Sequence, residues 1–356
     1  MDYIFNGQSS GSVASLLLNN NFDVGALRPY VGRDGRHYIS VFNGFQDGKP
    51  VYKAVPTTNA TATLRKDDWK LLDAAIVKAA KPRLKIVADL RSKGLTFNIP
   101  NGMAKTILET ETQSDITPAT ISMDGLRKGQ EDRPEFELGS LPLPIIHKDF
   151  SFPTRQIAVS RNGGSPLDTT TAELAARRVA EEAEQLTTGT ASSYSYGGGV
   201  VYGLTNFPTR ITKTITAPTA TGWTAATTVT EVLNMVQKSK DKFHYGPWTL
   251  YVSSKWDEYL DADYSAAKGD NTLRERLEKI RGITAVTTLD YLNNYDMVLV
   301  QETTDVCRMV VGMDITTVQW ESAGGFQQNF KILAIMVPQL RADQNGNTGV
   351  VHATTA

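Results

Sequence analysis

The chain of 356 residues is longer than one average domain, and its 40% hydrophobic content suffices for a packed core, which excludes a wholly disordered protein. Lysine and arginine (37 residues) balance aspartate and glutamate (38 residues), so the net charge of -1 gives no reason to predict tight binding of nucleic acid through its phosphates. The single cysteine, Cys307, excludes an intrachain disulfide and suits a reducing compartment.

Residues 1–60 are rich in Gly, Asn and Thr and show no sustained periodicity. The opening residues, MDYIFNGQSSG, lack the basic stretch and apolar run of a signal peptide, so we expect a chain made in the cytosol, with no membrane partner. Its aromatic residues distinguish this segment from an ordinary mobile terminus. We expect an extended arm with small strands or hairpins that lies on another surface, such as a neighbouring subunit. These aromatic residues are Phe5, Tyr30, Tyr38, Phe42, Phe45 and Tyr52.

The segment LRKDDWKLLDAAIVKAAKPRL predicts a helix. Trp69, Leu72 and Ile76 recur at helical spacing, Asp67 is a suitable N-cap, and Pro82 ends or kinks the helix. The overlapping stretch KAAKPRLKIVADLRSK concentrates positive charge that would suit an anionic partner such as packaged nucleic acid, although a solvated face explains it equally well. Its basic residues are Lys78, Lys81, Arg83, Lys85, Arg91 and Lys93.

Residues 114–153 alternate apolar and polar residues on both sides of a charged centre, MDGLRKGQEDRPE. The pattern predicts a two-stranded arm with a polar tip, and its prolines suit exposed strands. An isolated two-stranded ribbon is at best marginally stable in water, so this arm needs another surface, which we assign to another subunit. The charged residues of the tip are therefore candidates for inter-subunit contacts. These candidates are Arg127, Lys128, Glu131, Asp132 and Arg133.

The segment TAELAARRVAEEAEQLTTG predicts one long helix. Thr170 and Glu173 have the spacing of a capping box, and Gly189 is a suitable residue just past the helix end. An apolar stripe runs along the helix at helical spacing and is widened by further alanines, so that another backbone can approach closely. The stripe consists of Leu174, Ala175, Val179, Ala183 and Leu186.

The same helix carries Arg177, Arg178, Glu181 and Glu182. A carboxylate-bridged metal site would need histidines and a second helix with matching glutamates, and neither is present. Arg177 with Glu181, and Arg178 with Glu182, have the spacing of i,i+4 ion pairs, each contributing about 0.2–0.5 kcal/mol when exposed. We therefore interpret the helix as a salt-bridged structural element, and its four charged residues as candidates for contacts within or between subunits.

The remaining chain alternates between predicted helices and strands. The run Gly197–Gly199 lacks the Lys-Ser/Thr of a phosphate-binding loop and is interpreted as a joint between two units. In residues 203–315, TEVLNMVQKSKDKF and DNTLRERLEKIRG predict helices, whereas WTLYVS, YDMVLVQ and CRMVVGM predict strands. The chain closes with a long predicted strand, FKILAIMVPQLRAD, and a turn at QNGNTG.

The sequence contains no convincing catalytic or metal-binding motif. GQSSG matches the G-x-S-x-G pattern around Ser9, but it lacks the preceding strand, the base and the acid that a hydrolase needs. A stretch beginning at Asp261 lacks the glycine and glutamate of a calcium loop. The histidines lack metal-ligand spacing, so no metal, cofactor or enzymatic activity is expected. The four histidines are His37, His147, His244 and His352.

Several stretches resemble, in sequence as well as in order, the fold shared by tailed-bacteriophage major capsid proteins, encapsulin shell proteins and the herpesvirus capsid floor. LRKDDWKLLDAAIVKAAKPRLKIVADL is similar to the N-terminal helix of encapsulin-type subunits. The block from LPLPIIHKDFSFP to AEEAEQLTTG resembles the returning strand of the extended loop and the long spine helix. VVYGLTNFP and YVSSKWDEYL resemble parts of the axial domain, and FKILAIMVPQLRADQNGNTGVVHAT resembles the closing strands of the peripheral domain.

The resemblance implies an α+β chain with the phage major capsid fold, in which an N-terminal arm and an extended two-stranded loop accompany a peripheral domain with a long spine helix and an α/β axial domain. It places the N-terminal arm at residues 1–63, the first part of the peripheral domain at 64–113, the extended loop at 114–153, the peripheral domain with the spine helix at 154–190, the axial domain at 191–315 and the closing strands of the peripheral domain at 316–356.

The resemblance also implies a function. Identical subunits would assemble as hexamers and pentamers into an icosahedral shell enclosing double-stranded phage DNA with weak, non-specific contact. Such a protein belongs to the virion after assembly in the host cytoplasm, and separate scaffold, portal and decoration proteins are further expected partners. Some family members crosslink a loop lysine to a neighbouring subunit. Lys128 occupies that place, but no partner residue is identifiable and no crosslink is expected.

Two alternatives remain open. An encapsulin-type shell would enclose cargo enzymes instead of DNA, and the arm of about sixty residues before Trp69 favours the phage capsid over this alternative. The other alternative, a hydrolase that uses Ser9, lacks an identifiable base, acid and fold context.

Overall fold

The computed structural model describes residues 28–46, 49–56, 64–100, 102–113, 119, 121, 123, 133–134, 136–162, 169–264, 271–343 and 345–355. Over these residues the chain is an α+β protein, as predicted, in which helices pack against two large sheets. Its α-helices are α1 (Lys66–Ala80), α2 (Lys85–Ser92), α3 (Thr154–Asn162), α4 (Thr170–Thr188), α5 (Ala225–Lys240), α6 (Asp257–Leu260) and α7 (Leu273–Glu278).

Helix α1 buries the face that its periodicity predicts, with Trp69, Leu72 and Ile76 directed into the core. The predicted N-cap is wrong. The helix begins at Lys66, and the backbone N–H of Arg65 donates to the carboxylate of Asp68 at 2.9 Å, so Asp67 lies inside the first turn. Both acidic residues stabilise this end because it is the positive end of the helix dipole.

The part of the arm within the described residues forms a three-stranded antiparallel sheet of β1 (Tyr30–Val31), β2 (His37–Gln46) and β3 (Lys49–Pro56). This confirms the prediction of small strands. The arm is bound to its own subunit. Arg28 Nη2 donates to both carboxylate oxygens of Asp73, at 2.8 and 2.7 Å, and the guanidinium group stacks on Trp69. The ring N–H of Trp69 donates to a backbone carbonyl of the arm.

A four-stranded sheet covers one side of the main core. Its order is β4 (Thr96–Asn98), β14 (Cys307–Ser322), β15 (Gln327–Leu340) and β7 (Ile146–Pro153). Strands β14 and β15 form a long antiparallel hairpin, with β7 antiparallel to β15 and β4 parallel to β14. Phe150, Phe152 and Phe330 meet with ring centroids 5.2–5.7 Å apart, and Trp69 of α1 packs edge-on against Phe330.

A five-stranded mixed sheet separates two hydrophobic cores. Its order is β10 (Ile211–Ile215), β16 (Val350–Thr355), β13 (Met297–Gln301), β11 (Trp248–Ser253) and β12 (Ile283–Leu289). Because side chains alternate along a strand, Tyr251 joins the main core of α1, α2 and α4, whereas Leu250 and Val252 join a second core with α5 and α7. Burial on both faces explains the nearly continuous apolar sequence of β11 and β13.

Helix α4 is the predicted spine helix. It ends at Gly189, whose φ of 87° lies in the left-handed region, as predicted. Its alanines face the core, and the segment around Gly203 passes so close that a Cβ on Gly203 would lie 2.3 Å from the backbone nitrogen of Gly189. Two details differ from prediction: the N-cap position is Thr169, whose side chain contacts Glu173 at 2.9 Å, and Leu174 is 50% exposed.

Two of the expected segment boundaries differ from the observed strand pairing. Residues 146–153, expected in the extended loop at 114–153, form β7 in the four-stranded sheet. Residues 350–355, expected among the closing strands of the peripheral domain at 316–356, form β16, which pairs with β10 and β13 inside the five-stranded sheet. Alternation along a strand determines which face is buried, but it does not specify the partner strand.

The Gly197–Gly199 run is not a joint but part of a hairpin. Strands β8 (Tyr194–Tyr196) and β9 (Gly199–Val201) pair in antiparallel fashion. Gly197 and Gly198 form the two-residue turn, with φ angles of 59° and 81°. Two successive positive φ angles are what the tight hairpin turn requires, and glycine adopts them without strain.

Candidate functional site: an extended ribbon and a charged helix face

The two strands β5 (Ile107–Gln113) and β6 (Phe136–Pro142) pair in antiparallel register as a separate two-stranded sheet, here called the ribbon. At its root, Leu108 and Leu141 are opposite each other and buried in a small third core. Farther out, Phe136 and Leu138 are 63% and 68% exposed. The ribbon is therefore anchored at one end and carries uncovered apolar side chains at the other.

The exposed face of the ribbon is acidic as well as apolar. Glu111 is paired with Leu138 in the register, and Glu109 is paired with Ser140, so these side chains share a face with Phe136. Both glutamates are exposed. Such a face fits a surface that offers apolar area together with positive charge.

The predicted contact residues of the ribbon tip fall mostly outside the described residues. Arg127, Lys128, Glu131 and Asp132 belong to this group, whereas Arg133 is described and exposed. Their role in contacts between subunits remains a prediction.

The charged face of the spine helix is organised around Glu181, whose side chain is 12% exposed. Arg178 Nη1 lies 2.8 Å from its carboxylate, Arg177 Nε lies 3.5 Å away and Arg83 Nε lies 3.9 Å away. Tyr291 hydrogen-bonds to it as well, and burial together with the Glu181 charge raises the pKa of Tyr291. Glu181 thus ties the spine helix to the turn after α1 and to the loop between β12 and β13.

One of the two predicted i,i+4 ion pairs is present. The pair between Arg177 and Glu181 is present, but Arg178 is in contact with Glu181 rather than with Glu182. Glu182 is exposed on the outer side of the helix, and the side chain of Arg178 is 67% exposed. These two residues remain available for contacts between subunits, which stay a prediction.

The basic stretch after α1 is largely ion-paired inside the subunit. Lys85 lies 2.8 Å from Asp290, and Arg91 contacts Asp314. Lys93 lies 2.8 Å from Asp89 and 2.7 Å from Glu302. Together with the Arg83 contact to Glu181, these pairs use four of the six predicted basic residues within the chain. The arrangement fits a structural role better than a strong anion-binding surface.

The histidines and the cysteine do not form a reactive site in the described part of the chain. His352 is buried; its Nδ1 accepts from Arg210 Nε at 3.3 Å, which leaves Nε2 to donate to Asp296, also at 3.3 Å. Burial raises the pKa of Cys307 to about 12, so its thiol stays protonated and unreactive at neutral pH.

Ser9 lies outside the described residues. Among those described, no three His, Cys, Asp or Glu side chains group together as metal ligands would. No helix within the described ranges is both long and apolar enough to cross a membrane.

One buried residue on the spine helix escaped sequence analysis. Glu184 is 1% exposed, and its Oε1 accepts the backbone N–H of Ile86 at 2.7 Å. Burial raises the pKa of this carboxyl group to about 7, against the opposing effect of nearby backbone N–H groups. The sequence feature that could have predicted its burial is its position, four residues after Ala180 and three before Thr187, on the buried face of the helix.

Comparison with solved structures identifies the fold. The chain is similar to the virus-like particle from Pyrococcus furiosus (TM-score 0.57, 15% identity, 80% of this chain and 99% of that chain). It is also similar to the capsid of Myoviridae phage XM1 (TM-score 0.59, 9% identity, 74% and 91% of the two chains) and to the capsid of a native GTA particle (TM-score 0.54, 11% identity, 75% and 89%). The chain therefore has the fold of phage capsid and related shell subunits, as the resemblance in sequence implied.

The sequence itself belongs to a defined family. The model of DUF6260, a family of unknown function, matches residues 59–353, and the chain is a member of that family. A comparison with curated protein sequences finds no significant match.

Proposed function

We propose that this chain is a major capsid protein, a structural subunit that assembles with copies of itself as hexamers and pentamers into an icosahedral shell. The observation that carries the proposal is the ribbon, which projects exposed Phe136 and Leu138 from a buried root. Covering apolar surface is favourable by about 25 cal/mol per Å². A two-stranded ribbon is too thin to have a core of its own, so it gains that burial only from a partner. In the proposed shell, the partner is another copy of the chain.

The proposed contact is head-to-tail. The ribbon of one subunit and the surface that receives it on the next subunit are different parts of the chain, so the contact is heterologous. Repeated heterologous contacts close into rings when the rotation between subunits permits it. Rings of five close an icosahedral shell, and rings of six enlarge it. In this arrangement the units built on the five-stranded sheet meet at the symmetry axes, as the axial domains of phage capsid and encapsulin subunits do. The net charge of -1 permits such crowding of identical chains.

We further propose that the shell encloses double-stranded phage DNA, forms in the host cytoplasm and becomes part of the virion. The internal pairing of Arg83, Lys85, Arg91 and Lys93 supports contact with DNA that is weak and non-specific. The alternative is an encapsulin-type shell that holds cargo enzymes. The similarity to 99% of the Pyrococcus furiosus virus-like particle chain favours this alternative. The contents of purified particles distinguish the two, because genome-length DNA supports the phage capsid and packed protein supports the encapsulin.

The ribbon is tested by the double substitution Phe136→Ser and Leu138→Ser. Both side chains are exposed in the subunit, so we expect an unchanged circular dichroism spectrum and a thermal midpoint close to that of the wild type. Assembly should fail, because the substitution removes the apolar area that a neighbour would cover. Particle yield by electron microscopy and sedimentation checks this result.

The matched control is Val77→Ser, which replaces a 58% exposed apolar side chain on α1, away from the ribbon. This variant should assemble normally. Wild-type yields of shells from the ribbon variant would contradict the role proposed for the ribbon.

A further inference from the structure

Glu184 joins two helices through the protein interior. It lies in the last turns of the spine helix α4, is 1% exposed, and its Oε1 accepts the backbone N–H of Ile86 at 2.7 Å. Ile86 is in the first turn of α2, whose N-terminal N–H groups have no partner within their own helix. The carboxyl group of Glu184 on α4 thus caps the N-terminal end of α2.

This contact takes the place of an ordinary N-cap. The residue at the N-cap position of α2 is Leu84, which offers no side-chain acceptor. The backbone N–H groups of Lys85 and Val87 also face the Glu184 carboxyl group. Three N–H groups at the positive end of a helix favour a negative charge.

The surroundings oppose that charge. Among the described residues, Glu184 Oε2 is buried without a hydrogen-bond partner. Removal of this oxygen from water is the dominant effect and raises the pKa of Glu184 to about 7, although the three backbone N–H groups and Lys85 act in the opposite direction. The group therefore changes charge close to neutral pH, unlike an ordinary glutamate.

The neighbouring charged groups are already engaged with other partners. Arg177 on the same helix and Arg83 before α2 are directed to Glu181. Lys85 at the start of α2 contacts Asp290 in the loop between β12 and β13, where Tyr291 hydrogen-bonds to Glu181. The other elements packed on α4, namely α1, β7 and β15, contribute apolar side chains to the main core. A deprotonated Glu184 thus lacks a counter-ion of its own.

The opposite end of α2 is fixed to the five-stranded sheet. The hydroxyl group of Tyr251 on β11 donates to Asp89 at 2.5 Å. Lys93 donates to Thr249 on β11 at 2.6 Å and pairs with Glu302, which follows β13, at 2.7 Å. Helix α2 is therefore a bridge with one end on the spine helix and the other on the sheet.

We propose that Glu184 is a proton-operated latch between the spine helix and α2. The protonated acid still accepts the Ile86 N–H through its carbonyl oxygen and holds the N-terminal end of α2 in place. Deprotonation leaves a buried charge without a counter-ion, which favours release of that end into water. The bridge from the spine helix to the five-stranded sheet thereby becomes looser as the pH rises toward neutrality. The inference concerns the folded subunit and does not depend on shell formation.

The direction of the pH dependence follows from the linkage between proton binding and opening. The closed state binds a proton up to a pH of about 7, whereas a glutamate in water has an ordinary pKa of 4.5. Between these values the closed state holds the proton that the open state has lost, so the opening equilibrium constant rises by up to tenfold per pH unit. Above the upper value both states are deprotonated and the dependence levels off.

Hydrogen–deuterium exchange of the peptide covering residues 84–92, measured from pH 5 to pH 8 and corrected for the intrinsic exchange rate, tests the latch. In the wild type, the opening constant should rise with pH and level off near neutrality. In Glu184→Gln, whose amide oxygen accepts the same N–H but does not titrate, it should be constant. Glu182→Gln, an exposed change on the same helix, should retain the wild-type dependence.

A wild-type profile without pH dependence, or an unchanged dependence in Glu184→Gln, would overturn the proposal. If Glu184→Gln does not fold, infrared spectroscopy of the wild type tests the titration of Glu184 directly. The absorption of a protonated carboxylic acid should lose the equivalent of one group as the pH passes through neutrality. Absence of such a group at pH 6 would overturn the latch as well.

Discussion

Three glutamates within one turn of the spine helix have three different environments. Glu181 is 12% exposed and lies between three arginines, Glu182 is exposed, and Glu184 is 1% exposed at the start of another helix. The sequence predicts a salt-bridged helix because arginine and glutamate recur at i,i+4 spacing, and the pair of Arg177 with Glu181 confirms that pattern. It does not predict Glu184, because the N–H groups that receive its carboxyl group come from residues about a hundred positions earlier in the chain.

At the residue scale, Glu181→Gln should lower the free energy of unfolding by about 1–3 kcal/mol, because the largely buried Glu181 loses its charge-assisted hydrogen bonds and three arginines are left facing one another. Urea denaturation with an unchanged m-value checks this effect. Glu182→Gln on the same helix should change the free energy by less than about 0.5 kcal/mol, as expected for an exposed side chain. Equal effects of the two substitutions would show that Glu181 has no organising role.

At the scale of elements, local periodicity predicts the helices well and the strand partners poorly. Helices α1 and α4 follow the predicted apolar spacing, and the turn residue Gly189 ends α4 as predicted. The pairing of β7 with β15, and of β16 with β10 and β13, could not be predicted from local patterns, because it depends on strands far apart in the chain. The ribbon was predicted from alternation and proline content, but its described strands begin at Ile107 and not at residue 114.

The ribbon is also fixed by a close approach between backbones. A Cβ on Gly199 of β9 would lie 2.2 Å from the backbone oxygen of Ser140 in β6, a distance that only displacement of one strand can relieve. Gly199→Ala should therefore destabilise the subunit by about 1–3 kcal/mol. Hydrogen exchange of β6 should increase as its contact with β9 opens.

The matched control is Gly139→Ala within β6 itself. Its added Cβ would approach the Thr110 side chain at 3.3 Å, a contact that a small adjustment relieves. Because glycine in a strand is unfavourable relative to alanine by roughly 0.5–1 kcal/mol, this change should be neutral or stabilising. A destabilisation equal to that of Gly199→Ala would contradict the proposed backbone contact.

At the scale of the whole molecule, two cores share one sheet, and a group of ion pairs around the spine helix and α2 lies within the subunit. The capsid fold was predicted from stretches of the sequence that resemble the family, and similarity to solved capsid structures confirms it at identities of 9–15%. Composition alone could not have given this result, because a near-neutral chain with ordinary apolar content fits many folds. The role of the candidate contact residues at the ribbon tip remains a prediction.

Electron microscopy of the purified protein, expressed alone and with a scaffold protein supplied, tests the central claim most directly. We expect closed icosahedral shells in which the ribbon of each subunit lies on a neighbour within hexamers and pentamers. The outcome that would contradict it is a protein that folds normally and yet gives only monomers or small rings under both conditions.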